Sequence, residues 1–176
     1  DLMDQISMVF QKVYLLPNTM ENNIHEVWPM PQLPTRRGGG AAAKKACCHD
    51  FILTLPQGYD TVIGEGGSSL SGGEKQRISI ARAILKDAPI VILDEATANV
   101  DPENEDRLQK AIEALTRNKT ILMIAHRLKT VRNADQILVL DGGQIVQRGT
   151  HSQLMAQGGL YQAFVSGRKE SGQWKL

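Results

Sequence analysis

The chain has 176 residues, enough for one domain with a buried core. Hydrophobic residues make up 41% and charged residues 22%, which excludes a disordered chain. A formal net charge of +1 argues for neither nucleic acid nor an anionic membrane as partner, and no apolar run approaches the ~20 residues of a membrane helix.

Ile6 to Phe10 reads as a buried strand, reached so soon after Asp1 that the chain is expected to start inside a domain. A loop follows through Gln11 and Pro17. His25 to Gly40 (HEVWPMPQLPTRRGGG) differs in composition from its surroundings, with three prolines and three consecutive glycines. Ala41 to His49 is rich in alanine and lysine and predicts a helix. Within it lie the only two cysteines, Cys47 and Cys48. Adjacent, they form no disulfide framework and fit a reducing compartment; Cys47-Cys48-His49 lacks metal-site spacing.

Gly58, Gly64, Gly66 and Gly67 punctuate a loop, and Ser71 to Lys86 predicts a helix with Ile78, Ala81, Ile84 and Leu85 at helical spacing. Pro89 to Leu93 predicts a central parallel strand. Asp101 is a predicted N-cap with Pro102 at the first helical position, for a helix through Leu108, Ile112 and Leu115. Thr120 to Ala125 predicts another buried strand. Ile137 to Leu140 and Gln144 to Gln147 predict a hairpin about Asp141-Gly142-Gly143. Thr150 to Gln153 predicts a capping box opening a last helix pair. Alternating strands and helices imply an α/β fold with a mostly parallel sheet.

Ser71-Gly72-Gly73-Glu74 also has capping-box spacing. Its glycines leave the first-turn amides bare, and a bare helix N-terminus suits a phosphate. The same residues equally describe a plain capped helix with a glycine-rich lead-in. Downstream, Ile90 to Leu93 runs into paired carboxylates, Asp94 and Glu95. A strand-end aspartate suits Mg²⁺, and a neighbouring glutamate can act as general base. His126 follows the Thr120 strand and Gln11 follows the first.

Together these residues resemble the nucleotide-binding domain of ATP-binding cassette (ABC) transporters. Leu70 to Arg77 (LSGGEKQR) matches that family's signature motif, Ile90 to Glu95 its Walker B strand, Ala98 to Asp101 its D-loop, His126 its switch histidine and Gln11 its Q-loop glutamine. Phe10 to Ile24 and Thr61 to Gly67 look like the exporter branch, where the second segment meets the membrane domain's cytoplasmic helices. The resemblance implies a P-loop NTPase-like ABC ATPase domain over 1–166, with a helical subdomain about 12–87, a core remainder in 1–11 and 88–166, and a tail at 167–176. It implies ATP and Mg²⁺, a second such domain joined head to tail, and no nucleic acid. It further implies a transmembrane domain fused upstream and a place on the cytoplasmic face of a membrane. Ser71, Gly72 and Gly73 would bind the γ-phosphate of a partner's ATP; Asp94 and Gln11 would serve Mg²⁺; Glu95 would activate water; His126 would contact phosphate; Asp101 would cross the dimer interface.

Two departures stand out. No GxxxxGK[ST] loop occurs; Gly67 to Gly72 has the glycine spacing, but Gly73 and Glu74 follow where Lys and Ser/Thr are required. The domain is therefore expected to be partial, binding ATP weakly alone and hydrolysing it negligibly. Secondly, exporters carry an acidic Ala-Thr-x-Glu-Glu-Val helix where His25 to Gly40 stands. One synonymous coding of Gln32 to Arg37, read two nucleotides later, gives Ala-Thr-Asp-Glu-Glu. A compensated frameshift and a divergent surface loop both account for the segment. Two other readings stay open: a degenerate subunit or remnant donating only its signature face, and a DNA-repair or chromosome-type ABC ATPase. The absence of heptads and the exporter-like loop disfavour the latter.

Overall fold

The computed structural model describes residues 2–26, 38–94, 102–124 and 131–171. They belong to two compact units, Asp1–Ile124 and Ala125–Leu176.

The first unit is built on three parallel strands, β1 (Ile6–Val9), β2 (Ile90–Asp94) and β3 (Thr120–Ile124), in that spatial order. The register sets Val9 beside Leu93, and Asp94 beside Ile124. β2 is central, and its apolar run suits a strand covered on both faces. Val91 and Leu93 are buried with Val9 against helix α4 (Gly72–Lys86) and helix α5 (Pro102–Thr116). Ile78, Ile80 and Ala81 of α4 and Leu108, Ala111 and Leu115 of α5 join this core. A fully buried side chain of this kind contributes roughly 1.5–3 kcal/mol.

β3 departs from the buried strand predicted over 120–125. Leu122, Met123 and Ile124 are 51%, 36% and 50% exposed. The reason is position: β3 pairs with β2 on one side and, among the described residues, with nothing on the other.

Three short helices precede α4. Helix α1 (Met20–His25) follows the loop predicted through Pro17, in a stretch for which the sequence predicts no element. Its cap was legible, since the Thr19 hydroxyl accepts from the Asn22 amide at 3.2 Å. The single helix predicted over Ala41 to His49 is two, α2 (Gly39–Lys45) and α3 (His49–Thr54). Cys47 breaks it with a φ of 54°. The Cys47 amide bonds the Lys44 carbonyl at 3.1 Å and the Cys48 amide the Ala43 carbonyl at 2.7 Å, a Schellman ending. Glycine normally signals such an ending, and none stands here. α4 ends in the same left-handed way at Asp87 (φ 52°).

The second unit pairs β4 (Ile137–Asp141) with β5 (Gln144–Gly149) in an antiparallel hairpin. Gly142 and Gly143 both have positive φ, as a two-residue turn requires. Ile137 and Val139 pack with Leu154 of helix α6 (His151–Gln157) and Tyr161 of helix α7 (Leu160–Ser171). α7 runs through the 166/167 boundary expected for the tail. Among the described residues no helix is long and apolar enough to cross a membrane.

Candidate phosphate-facing site

Ser71 is the N-cap of α4, in extended conformation. Its hydroxyl accepts from the Glu74 amide at 3.3 Å, and the Glu74 carboxylate accepts from the Ser71 amide at 2.8 Å. The Lys75 amide closes the first turn on the Ser71 carbonyl at 3.1 Å. That leaves the amides of Gly72 and Gly73 as the first-turn donors without an intrahelical acceptor. Ser71 and Gly72 are exposed and Gly73 is buried. A Cβ placed on Gly72 would meet nothing within 4 Å, so the approach is open. The dipole of a 15-residue helix adds partial positive charge at this end. These donors fit a phosphate oxygen.

Gln11 and Asp94 occupy the other expected part of the site. β1 and β2 are parallel and Val9 pairs with Leu93, so both residues leave adjacent strands at the C-terminal edge of the sheet. Ligands of open α/β sheets bind along that edge. Gln11 is exposed and Asp94 half-buried, an arrangement that leaves the carboxylate able to meet a hydrated cation. Glu95, Asp101 and His126 lie outside the described residues, as do Ala98 to Val100 and residues 27–37. Among the described residues no cluster of three or more His, Cys, Asp or Glu side chains could hold a metal alone, Cys47, Cys48 and His49 included. Burial pushes the Cys48 thiol up to about 12, so it is inert at neutral pH.

Sequence reasoning missed the side chains that position these parts. Gln76 Nε2 donates to the carbonyl of Phe10, immediately before Gln11, at 3.2 Å. Arg82 donates to the Tyr14 carbonyl at 3.0 Å and to the Asn23 side chain at 3.1 Å. Buried Asn23 in turn bonds the Leu16 amide at 2.9 Å and carbonyl at 3.0 Å. The two exporter-like segments are laced together. Met20 donates to the Thr61 carbonyl, Ile63 to that of Asn18 and Gly66 to that of Leu15. Gly67 has a φ of 66°, and a Cβ there would stand 2.7 Å from Leu15 Cδ1. Tyr14 and Val62 are left 59% and 66% exposed.

Comparison with known proteins agrees with this architecture. The sequence pattern of the ABC transporter family matches residues 1–98, over half of the chain. The ATP-dependent lipid A-core flippase of Haemophilus ducreyi is 50% identical over 166 residues, covering 94% of this chain and 28% of the flippase. That of Alkalilimnicola ehrlichii is 51% identical over 160 residues, covering 91% and 27%. The solved structure of a bacterial Atm1-family ABC exporter with ATP bound superposes with a TM-score of 0.81 at 38% identity, over 97% of this chain and 29% of that one. The chain thus spans little more than a quarter of the curated relatives' length. On this fold, these motifs and this match, the chain belongs to the ABC transporter family.

Proposed function

We propose that the chain is the greater part of the ATP-binding and ATP-hydrolysing component of an ABC exporter. The observation that carries this is the capped α4 N-terminus, with the exposed Gly72 amide open to an anion and the Gly73 amide left without an intrahelical acceptor. In this reading bound MgATP supplies the phosphoanhydride bond and the metal's charge. Ser71, Gly72 and Gly73 hold the γ-phosphate of a nucleotide whose other side is cradled by a second domain, met head to tail. Asp94 and Gln11 hold Mg²⁺, Glu95 takes the proton of the attacking water, His126 contacts phosphate and Asp101 crosses the dimer interface. The core is 1–11 and 88–166, and 12–87 is the helical subdomain. Exposed Tyr14 and Val62 mark where it meets the cytoplasmic helices of a transmembrane domain fused upstream. In this reading the chain sits on the cytoplasmic face of a membrane.

The test is magnesium-dependent hydrolysis by the whole natural polypeptide that contains this chain, beside the 176 residues alone. The whole protein is expected to turn over ATP and to lose turnover in Glu95→Gln; the isolated chain should stay at background. Robust hydrolysis by the isolated chain would refute the shared cradle. A second reading, a subunit that donates only its signature face to a partner's nucleotide, rests on the same capped α4 N-terminus. Sequencing the native DNA from upstream of Asp1 through Ala41 separates the two and decides whether His25 to Gly40 reads in frame.

A further inference from the structure

Arg77 is 1% exposed. Its Nη1 donates to Asn104 Oδ1 at 2.7 Å, and its Cζ lies 5.4 Å from the centroid of the Phe51 ring. Among the described residues it forms no ion pair with a carboxylate, and its buried Nε has no acceptor. Burying such a cation costs several kcal/mol, and apolar replacements of buried charges are often neutral or stabilising. Burial alone therefore does not account for an arginine here.

Geometry does. Arg77 lies four residues after Gly73, on the same face of α4, one turn from the open amides. Asn104 lies in the first turn of α5, which begins directly after Asp101. Phe51 belongs to α3. One planar guanidinium on α4 thus reaches two other helices at once. The neighbouring side chain, Gln76, reaches the opposite way, to the β1 exit beside Gln11.

We infer that Arg77 is a positioning residue: it locks the start of α5 to the phosphate-facing end of α4, so that the Ser71–Gly73 donors and the first turn of α5 shift as one piece. Its effect on turnover rests on the function proposed above; the mechanical link does not. Two variants test it, Arg77→Met and Asn104→Ala. In the 176-residue chain, amide exchange at residues 106–109 should quicken roughly tenfold or more on loss of a charged hydrogen bond. The melting temperature of Arg77→Met should hold or rise. In the whole polypeptide, kcat should fall roughly ten- to a hundredfold with KM unchanged, as for misplaced catalytic groups. Unchanged exchange at 106–109 in both variants overturns the inference. So does a uniform rise in exchange with a lowered melting temperature, the mark of a merely structural arginine. If the wild-type polypeptide does not hydrolyse MgATP, the proposed function falls and the exchange result still decides the role of Arg77.

Discussion

Two capping boxes stand in this chain, one in each unit, with nearly the same geometry. At Ser71–Glu74 the two reciprocal bonds measure 2.8 and 3.3 Å; at Thr150–Gln153 they measure 2.9 and 3.3 Å. What differs is the pair of residues between. Gly72-Gly73 sets no side chain over the start of a 15-residue helix, and a Cβ at Gly72 would meet nothing within 4 Å. His151-Ser152 sets a ring at the first helical position, and that ring is hydrogen-bonded to Tyr161 at 2.8 Å above a helix of seven residues. The box itself is a folding device that satisfies orphan amides. Whether it can also hold a ligand depends on what the intervening side chains leave uncovered and on how much dipole stands behind it.

The comparison breaks most sharply with an aspartate in the first turn of either helix. Gly72→Asp should abolish ATP turnover of the whole polypeptide, by roughly a hundredfold or more, since a fixed carboxylate competes for donors of oxyanion-hole type. Ser152→Asp should leave turnover unchanged. Steady-state kinetics reads both, and equal losses would erase the distinction drawn here. Removing each cap should cost about 1 kcal/mol: Ser71→Ala and Thr150→Ala, compared by urea denaturation. Only Ser71→Ala should also lower turnover.

Alkaline pH acts on both units in the same direction. Cys48 in the first is raised from 9.0 to about 12 by burial, and Tyr161 in the second is raised by burial. Each group is neutral in the fold and ionises sooner in the unfolded chain, so its stabilising contribution is complete below the unfolded value and lost as pH rises towards the folded one. Stability should therefore fall from pH 9 to 12, and Cys48→Ala should flatten the onset in pH-resolved denaturation. The smallest effect is expected for Glu74→Gln, which gives the first box the second's chemistry. Removing one negative charge near the open amides should tighten nucleotide-dependent association a few-fold, the scale of a helix-terminal charge.

Much of the fold was legible because its signals are local. Both capping boxes, the α4 stripe, the apolar run of β2 and the Gly142-Gly143 turn are each specified within a few residues. So was the order of Gln11, Ser71–Gly73 and Asp94 along the chain; the parallel register then sets Gln11 and Asp94 on one edge of the sheet. The Cys47 break was not legible, because a left-handed ending usually announces itself with glycine and here is taken by a cysteine. The exposure of β3 was not legible either, since an apolar strand reads the same at the centre or the edge of a sheet.

By itself the sequence determined the family motifs, the strand and helix periods and the caps, all of which depend on neighbours within about one turn. Only the tertiary structure decided what surrounds them. The reach from Gln76 to Phe10 spans 66 residues and that from Arg77 to Asn104 spans 27. No local pattern encodes such contacts. They exist because packing α4 between β1 and α5 buries two polar side chains whose hydrogen bonds must then be met from distant parts of the chain.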